Sequence, residues 1–142
     1  MGEFERQFIS LFYYWAGKLN IDYIPFKMDK RYDCHACIDK DLLLVYNLKK
    51  LNEYKDEFFL LLNLIFHELG HAKHKLKYET QEEIFKSEYR AETFAIRMAR
   101  KYYPEEEKKL ERYTKKLMKN KKWIKKNPLY YKVYLKIPEY NI

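Results

Sequence analysis

The sequence predicts an α+β fold in one domain of 142 residues, with a small antiparallel sheet of about three strands packed on two motif-bearing helices and further helices at both ends. Three observations point there. Apolar residues recur at helical spacing near the N-terminus and again from about residue 52 onward, while the stretch between reads as short runs broken by turn residues. Hydrophobic residues make up 47% of the chain and aromatic residues 18%, too much for a disordered polypeptide, and the length suffices for one core but not for two large domains. Only 3 glycines and 4 prolines are present, so long irregular loops have little to be built from.

Phe4, Phe8, Leu11, Phe12, Trp15 and Leu19 place an amphipathic helix over Glu3 to Leu19, its aromatic stripe turned to the core. Ile21 to Met28, Tyr32 to Ile38 and Leu42 to Tyr46 read as strands. Pro25 makes the first an edge, and Asp39-Lys40-Asp41 supplies a turn before the third. A helix follows from about Asn52 to Leu76; its middle, Phe58 to Phe66, is apolar on nearly all sides, as in a helix buried at the centre of a domain. Thr80-Gln-Glu-Glu83 is a capping box opening a helix in which Ile84, Glu88, Ala91, Ala95, Met98 and Tyr102 share one face up to Pro104. Glu105 to Glu107 suit a first turn, and Leu110, Tyr113 and Leu117 carry an amphipathic helix to about Lys122. The tail from Pro128 alternates Leu129, Tyr131, Val133, Leu135 and Ile137, the pattern of a strand or extended segment. Residues 1–104 thus read as a core and 105–142 as a basic, largely helical extension of the same domain.

The formal net charge is +8, with 17 basic and 16 acidic residues up to Pro104 and 12 against 5 beyond it. Lys115, Lys116, Lys119, Lys121, Lys122, Lys125 and Lys126 cluster around Trp123 and Ile124, either as a patch for nucleic acid or an acidic partner or as a solvated helix face. The two cysteines, Cys34 and Cys37, are too few for a disulfide framework and fit a reducing compartment. The apolar run Phe8 to Gly17 follows Glu3, Glu5 and Arg6 rather than the positive lead of a signal peptide, and Arg6 stands where N-myristoylation needs Ser or Thr. Phe58 to Phe66 is about half a membrane span. The expectation is a cytoplasmic protein with no membrane segment.

His67-Glu68-Leu69-Gly70-His71 falls on the predicted central helix. Residues i and i+4 lie one above the other on a helix, so the two imidazoles can converge on one ion. Glu68, about 100° further round, stands beside that ion without ligating it. Two histidine ligands plus a carboxylate able to take a proton from a water at the metal is the zincin arrangement. Gly70 inside a strong helix points to close approach of a neighbouring strand.

A catalytic zinc takes three protein ligands. The chain has four histidines, His35, His67, His71 and His74, so no distant downstream histidine is available as the third. His74 shares the helix face but stands about 10 Å along the axis from His67, which places it at the rim or behind a ligand. A carboxylate is the alternative, and Glu88 fits because it projects from the small-residue face of the next helix, where an unpaired carboxylate would be costly. Glu92, one turn on, is placed to accept the other N–H of a ligating histidine and hold its tautomer.

Glu88-Tyr-Arg-Ala91-Glu92-Thr-Phe94-Ala95 resembles the element E-x-x-A-[DE]-x-F-A that follows H-E-x-x-H in the gluzincin metallopeptidases, most closely the ImmA/IrrE-type family and the single-domain minigluzincins. The likeness covers about residues 1–104, its specific part runs from Asn63 to Ala95, and it includes a histidine often found at the position of His74. It implies a cytoplasmic zinc endopeptidase with His67, His71 and Glu88 as ligands and Glu68 as general base, acting on a protein or peptide, in some relatives a repressor. By analogy with minigluzincins, it also implies that the tail beyond Pro128 can lie across the cleft and keep the enzyme latent. The alternative from another class is a catalytically silent, zinc-stabilised regulatory or nucleic-acid-binding module. Cys34-His35-Ala36-Cys37 resembles half a zinc knuckle, but alternation along a strand turns the thiols opposite ways, so no shared ion is expected there.

Overall fold

The architecture is set by one long apolar helix and the elements that cover it. A computed structural model describes residues 1–74 and 78–142. Helix α1 spans Glu3–Lys18, followed by strands β1 (Phe26–Met28), β2 (Ala36–Ile38) and β3 (Leu44–Tyr46). A single turn α2 (Leu48–Leu51) and a 3-10 turn (Asn52–Tyr54) lead to α3 (Phe58–His74) and α4 (Gln81–Tyr102). Helices α5 (Pro104–Leu117), α6 (Lys121–Lys126) and α7 (Pro128–Leu135) and a last 3-10 turn (Pro138–Asn141) complete the chain. This is the expected α+β class. Among the described residues no helix is long and apolar enough to cross a membrane.

Helix α3 is central because it has no polar face over its first half. Leu61, Leu62, Ile65, Phe66 and Leu69 are almost fully buried. They pack with Phe8, Phe12 and Trp15 of α1, Leu44 and Tyr46 of β3, and Ala95 and Ala99 of α4 in one apolar cluster. The Asn47 side chain accepts from the Lys49 and Lys50 amides and starts α2, so the central helix begins later than Asn52. Its expected end near Leu76 lies outside the described residues. The capping box at Thr80 and Glu83 is present in both directions.

The sheet differs from the expected antiparallel one: it is mixed, in the order β1-β3-β2. β2 and β3 form an antiparallel hairpin pairing Ala36 with Tyr46 and Ile38 with Leu44. Its turn is built by the Asp39 carboxylate accepting from the Asp41 and Leu43 amides, with Leu42 at a left-handed φ of 58°. Because the chain between β1 and β2 leaves a strand-wide gap, the returning β3 fills it and runs parallel to β1, Phe26 opposite Leu44. Local turn chemistry predicts the hairpin but not which neighbour lies on its far side.

The tail also departs from expectation. Pro128 to Ile142 forms α7 and a 3-10 turn rather than a strand, with Pro128 and Pro138 each at the start of its helical turn, where a missing N–H costs nothing. Val133, Ile137 and Tyr140 bury against Ile96 of α4 in a second apolar cluster. Helix α4 is therefore covered on one face by α3 and on the other by the C-terminal segment.

Candidate metal centre

Gly70 decides how the two motif helices meet. A Cβ built on it would stand 3.1 Å from Phe94 Cδ1 and 3.2 Å from Ala91 Cα, so the close neighbour is helix α4 and not a strand. With Ala91 and Ala95 fully buried opposite, α4 comes near enough for Glu88 and Glu92 to reach the histidines of α3.

The two imidazoles lie one turn apart, His67 Nε2 to His71 Nε2 being 3.1 Å. Glu88 closes the triangle, with Oε2 2.8 Å from His67 Nε2 and Oε1 3.3 Å from His71 Nε2. Ligands held about 2.0–2.1 Å from a tetrahedral zinc stand about 3.3 Å from one another, close to the 2.8, 3.1 and 3.3 Å that separate these three groups. Two imidazole nitrogens and one carboxylate form a donor set suited to a catalytic zinc. Glu68 also offers an oxygen within 4.8 Å of both rings, but its Oε1 accepts the Ile38 amide of β2 at 2.8 Å. Of the two carboxylates, Glu88 is the one placed against both ring nitrogens, while Glu68 is held to the side by Ile38.

Behind the donors stands a second layer. His67 Nδ1 is 2.9 Å from Glu92 Oε2, the arrangement anticipated for Glu92, and the Tyr140 hydroxyl donates to Glu92 Oε1 at 3.1 Å. His71 Nδ1 pairs with the Tyr78 hydroxyl at 2.6 Å, and the Tyr130 hydroxyl donates to Glu88 Oε2 at 3.2 Å. His74 takes no such place: it lies on the exposed end of α3, its ring edge-on to Phe94 at 5.8 Å. Tyr78, Tyr130 and Tyr140 could not be singled out from the sequence. They are three of 15 tyrosines, two of them in a tail whose alternation suggests a strand, and no spacing ties them to the motif.

Electrostatics match the crowding of carboxylates. Burial works against a charged His67, but the hydrogen bonds of Glu88 and Glu92 outweigh it and hold its proton well above the usual histidine range. Burial likewise opposes charge on Glu88, yet hydrogen bonds to His67 and His71 keep it below the usual carboxylate range. Glu68 is raised by burial, with His67 and His71 pulling the other way. A proton on His67 thus balances part of a negative cluster that a divalent cation would balance more fully.

The cluster forms the floor of a cleft of about 810 Å³, walled by the segment from Tyr32 to Ile38 on one side and by Leu117, Trp123, Asn127 and Tyr130 on the other. Cys34 and Cys37 both line it, unlike the opposed thiols expected of a strand, because Cys34 sits in a bend before β2 begins at Ala36. Burial raises both thiols, Cys37 to about 11, and among the described residues neither belongs to a group of three or more metal-binding side chains. No family model, curated protein or solved structure matches this chain, so the reading of the site rests on its own chemistry.

Proposed function

We propose that this chain is a zinc-dependent endopeptidase. The observation that carries the reading is the triangle of His67, His71 and Glu88, spaced for one tetrahedral ion, with Glu68 fixed beside it on the floor of an open cleft. Zinc bound there would supply Lewis acidity and a water of lowered pKa.

The chain's own groups account for the rest. Glu68, raised by burial, takes a proton from the attacking water and returns it to the amine nitrogen as the C–N bond breaks, so one carboxylate serves as base and then acid. Tyr130, whose hydroxyl already points at the donor cluster, donates to the carbonyl oxygen as it gains charge. His35 and Asp39 of the hairpin pair with Asn47 and Leu43 across to β3, so by the alternation of an antiparallel ladder Ala36 and Ile38 aim their backbone groups outward. Ile38 N–H holds Glu68, and the remaining outward groups of this edge can pair with an extended substrate.

Elemental analysis of purified protein together with cleavage of denatured casein tests the reading. Stoichiometric zinc, cleavage by the native chain, and zinc without cleavage in Glu68→Gln are expected. Zinc with no cleavage by the native chain would leave the silent, zinc-stabilised module instead, and the loss of zinc in Glu88→Ala tests the ligand set in either case.

A further inference from the structure

The stretch from Arg112 to Pro138 carries ten cations and no acidic residue. Of the two glutamates that bound it, Glu139 is engaged by Arg100. The lysines beyond Pro104 that form ion pairs among the described residues are Lys108 and Lys109, earlier on α5, and none of the seven lysines from Lys115 to Lys126 has an acidic partner there. All seven but Lys115 are exposed. Such a density of like charge raises the energy of the folded chain through self-repulsion and is relieved by an anionic ligand. These lysines lie at the end of α5, in the turn after it and on α6, and the residues set among them, Leu117 and Trp123 with Asn127 just beyond, line the cleft that holds the metal centre. The positive surface and the cleft are therefore continuous.

We propose that the lysines of α5 and α6 form a docking surface for an acidic segment of a polypeptide, resting on the peptidase reading for the further step that this segment belongs to the substrate. An acidic peptide fits better than a nucleic acid on two counts. Trp123 is stacked on Tyr134, ring centroids 5.6 Å apart and planes at 4°, and Tyr113 is edge-on to Phe59, so the rings a base would stack on are engaged within the protein. Beyond Arg112 the segment contains no arginine, the side chain best shaped for bidentate phosphate contacts.

The test is fluorescence anisotropy on zinc-loaded full-length Glu68→Gln, with labelled polyglutamate, a labelled neutral Gly-Ser peptide and labelled oligothymidylate as probes. Polyglutamate is expected to bind most tightly, to weaken steeply with added salt, and to lose about tenfold or more in affinity when Lys121→Glu, Lys122→Glu, Lys125→Glu and Lys126→Glu are combined. In the native chain unlabelled polyglutamate is expected to raise KM for casein without changing kcat. Polyglutamate binding no tighter than the neutral peptide, tighter binding of oligothymidylate, or polyglutamate binding with no effect on KM would each overturn the proposal. Polyglutamate binding by a chain that cleaves nothing would instead sink the peptidase reading and leave the acidic docking surface standing.

Discussion

The Tyr130 hydroxyl donates to Glu88 Oε2 at 3.2 Å, joining α7 to the carboxylate that closes the candidate metal triangle. The C-terminal segment is thereby part of the site's construction. Its Tyr140 does the same one layer further back, bonding Glu92, which in turn holds His67.

Removing the Tyr130 hydroxyl separates catalysis from metal binding. Tyr130→Phe is expected to keep its zinc and its fold while kcat on casein falls by about 10²–10³, the usual cost of losing one donor to a developing oxyanion. KM should change little. Zinc content by elemental analysis beside steady-state kinetics checks this; an unchanged kcat would remove Tyr130 from the reaction.

Glu92 acts through His67. Because His67 Nδ1 has Glu92 as its partner at 2.9 Å, Glu92→Gln should loosen the ring and lower zinc affinity by about ten- to a hundredfold. Competition with a chromogenic chelator measures the change, and His74→Ala, distant from the triangle, should leave affinity as it was.

Gly70 is the point where helix propensity and packing oppose each other. Alanine in mid-helix gains about 1 kcal/mol over glycine, but its methyl group would meet Ala91 Cα at 3.2 Å, and α4 backbone cannot swing aside as a side chain can. Gly70→Ala is expected to destabilise the fold by about 1–3 kcal/mol in urea unfolding and to weaken zinc binding, since Glu88 and Glu92 move with α4.

Glu107 gives the fold a pH dependence of its own. Burial and a hydrogen bond to Glu111 push its carboxyl up to about 7 from an unfolded value of 4.5, with Arg100 pulling the other way. The native state therefore holds this proton more tightly than the unfolded chain. The stability it contributes is fully present below pH 4.5 and is lost as pH rises through about 7. Urea midpoints should fall between these limits for the native chain, and Glu107→Gln should flatten that fall.

The chemistry-bearing residues are legible in the linear sequence because a helix has a fixed period. His67 and His71 must share a face, Glu68 must stand beside them, and the capping box at Thr80 starts the next helix where Glu88 and Glu92 fall one turn apart. The same periodicity exposes the apolar middle of α3, whose burial follows from having no polar side to offer water. The strands are legible only as a region: their runs shrink to three residues each, and the pairing of β3 with β1 depends on a gap in space that no local pattern encodes.

Repeats of 3.6 residues and a cap, acting within a few positions of one another, make the α+β class and the candidate donors readable from the chain alone. Tertiary structure alone decided which groups stand behind those donors. Tyr78, Tyr130, Tyr140 and the Ile38 amide reach the cluster from a loop, a C-terminal helix, a final turn and an edge strand, and the tail became helical because its apolar residues could bury against Ile96 of α4. Contacts between distant segments depend on how whole elements pack, and packing is a property of the folded surface rather than of any short stretch of chain.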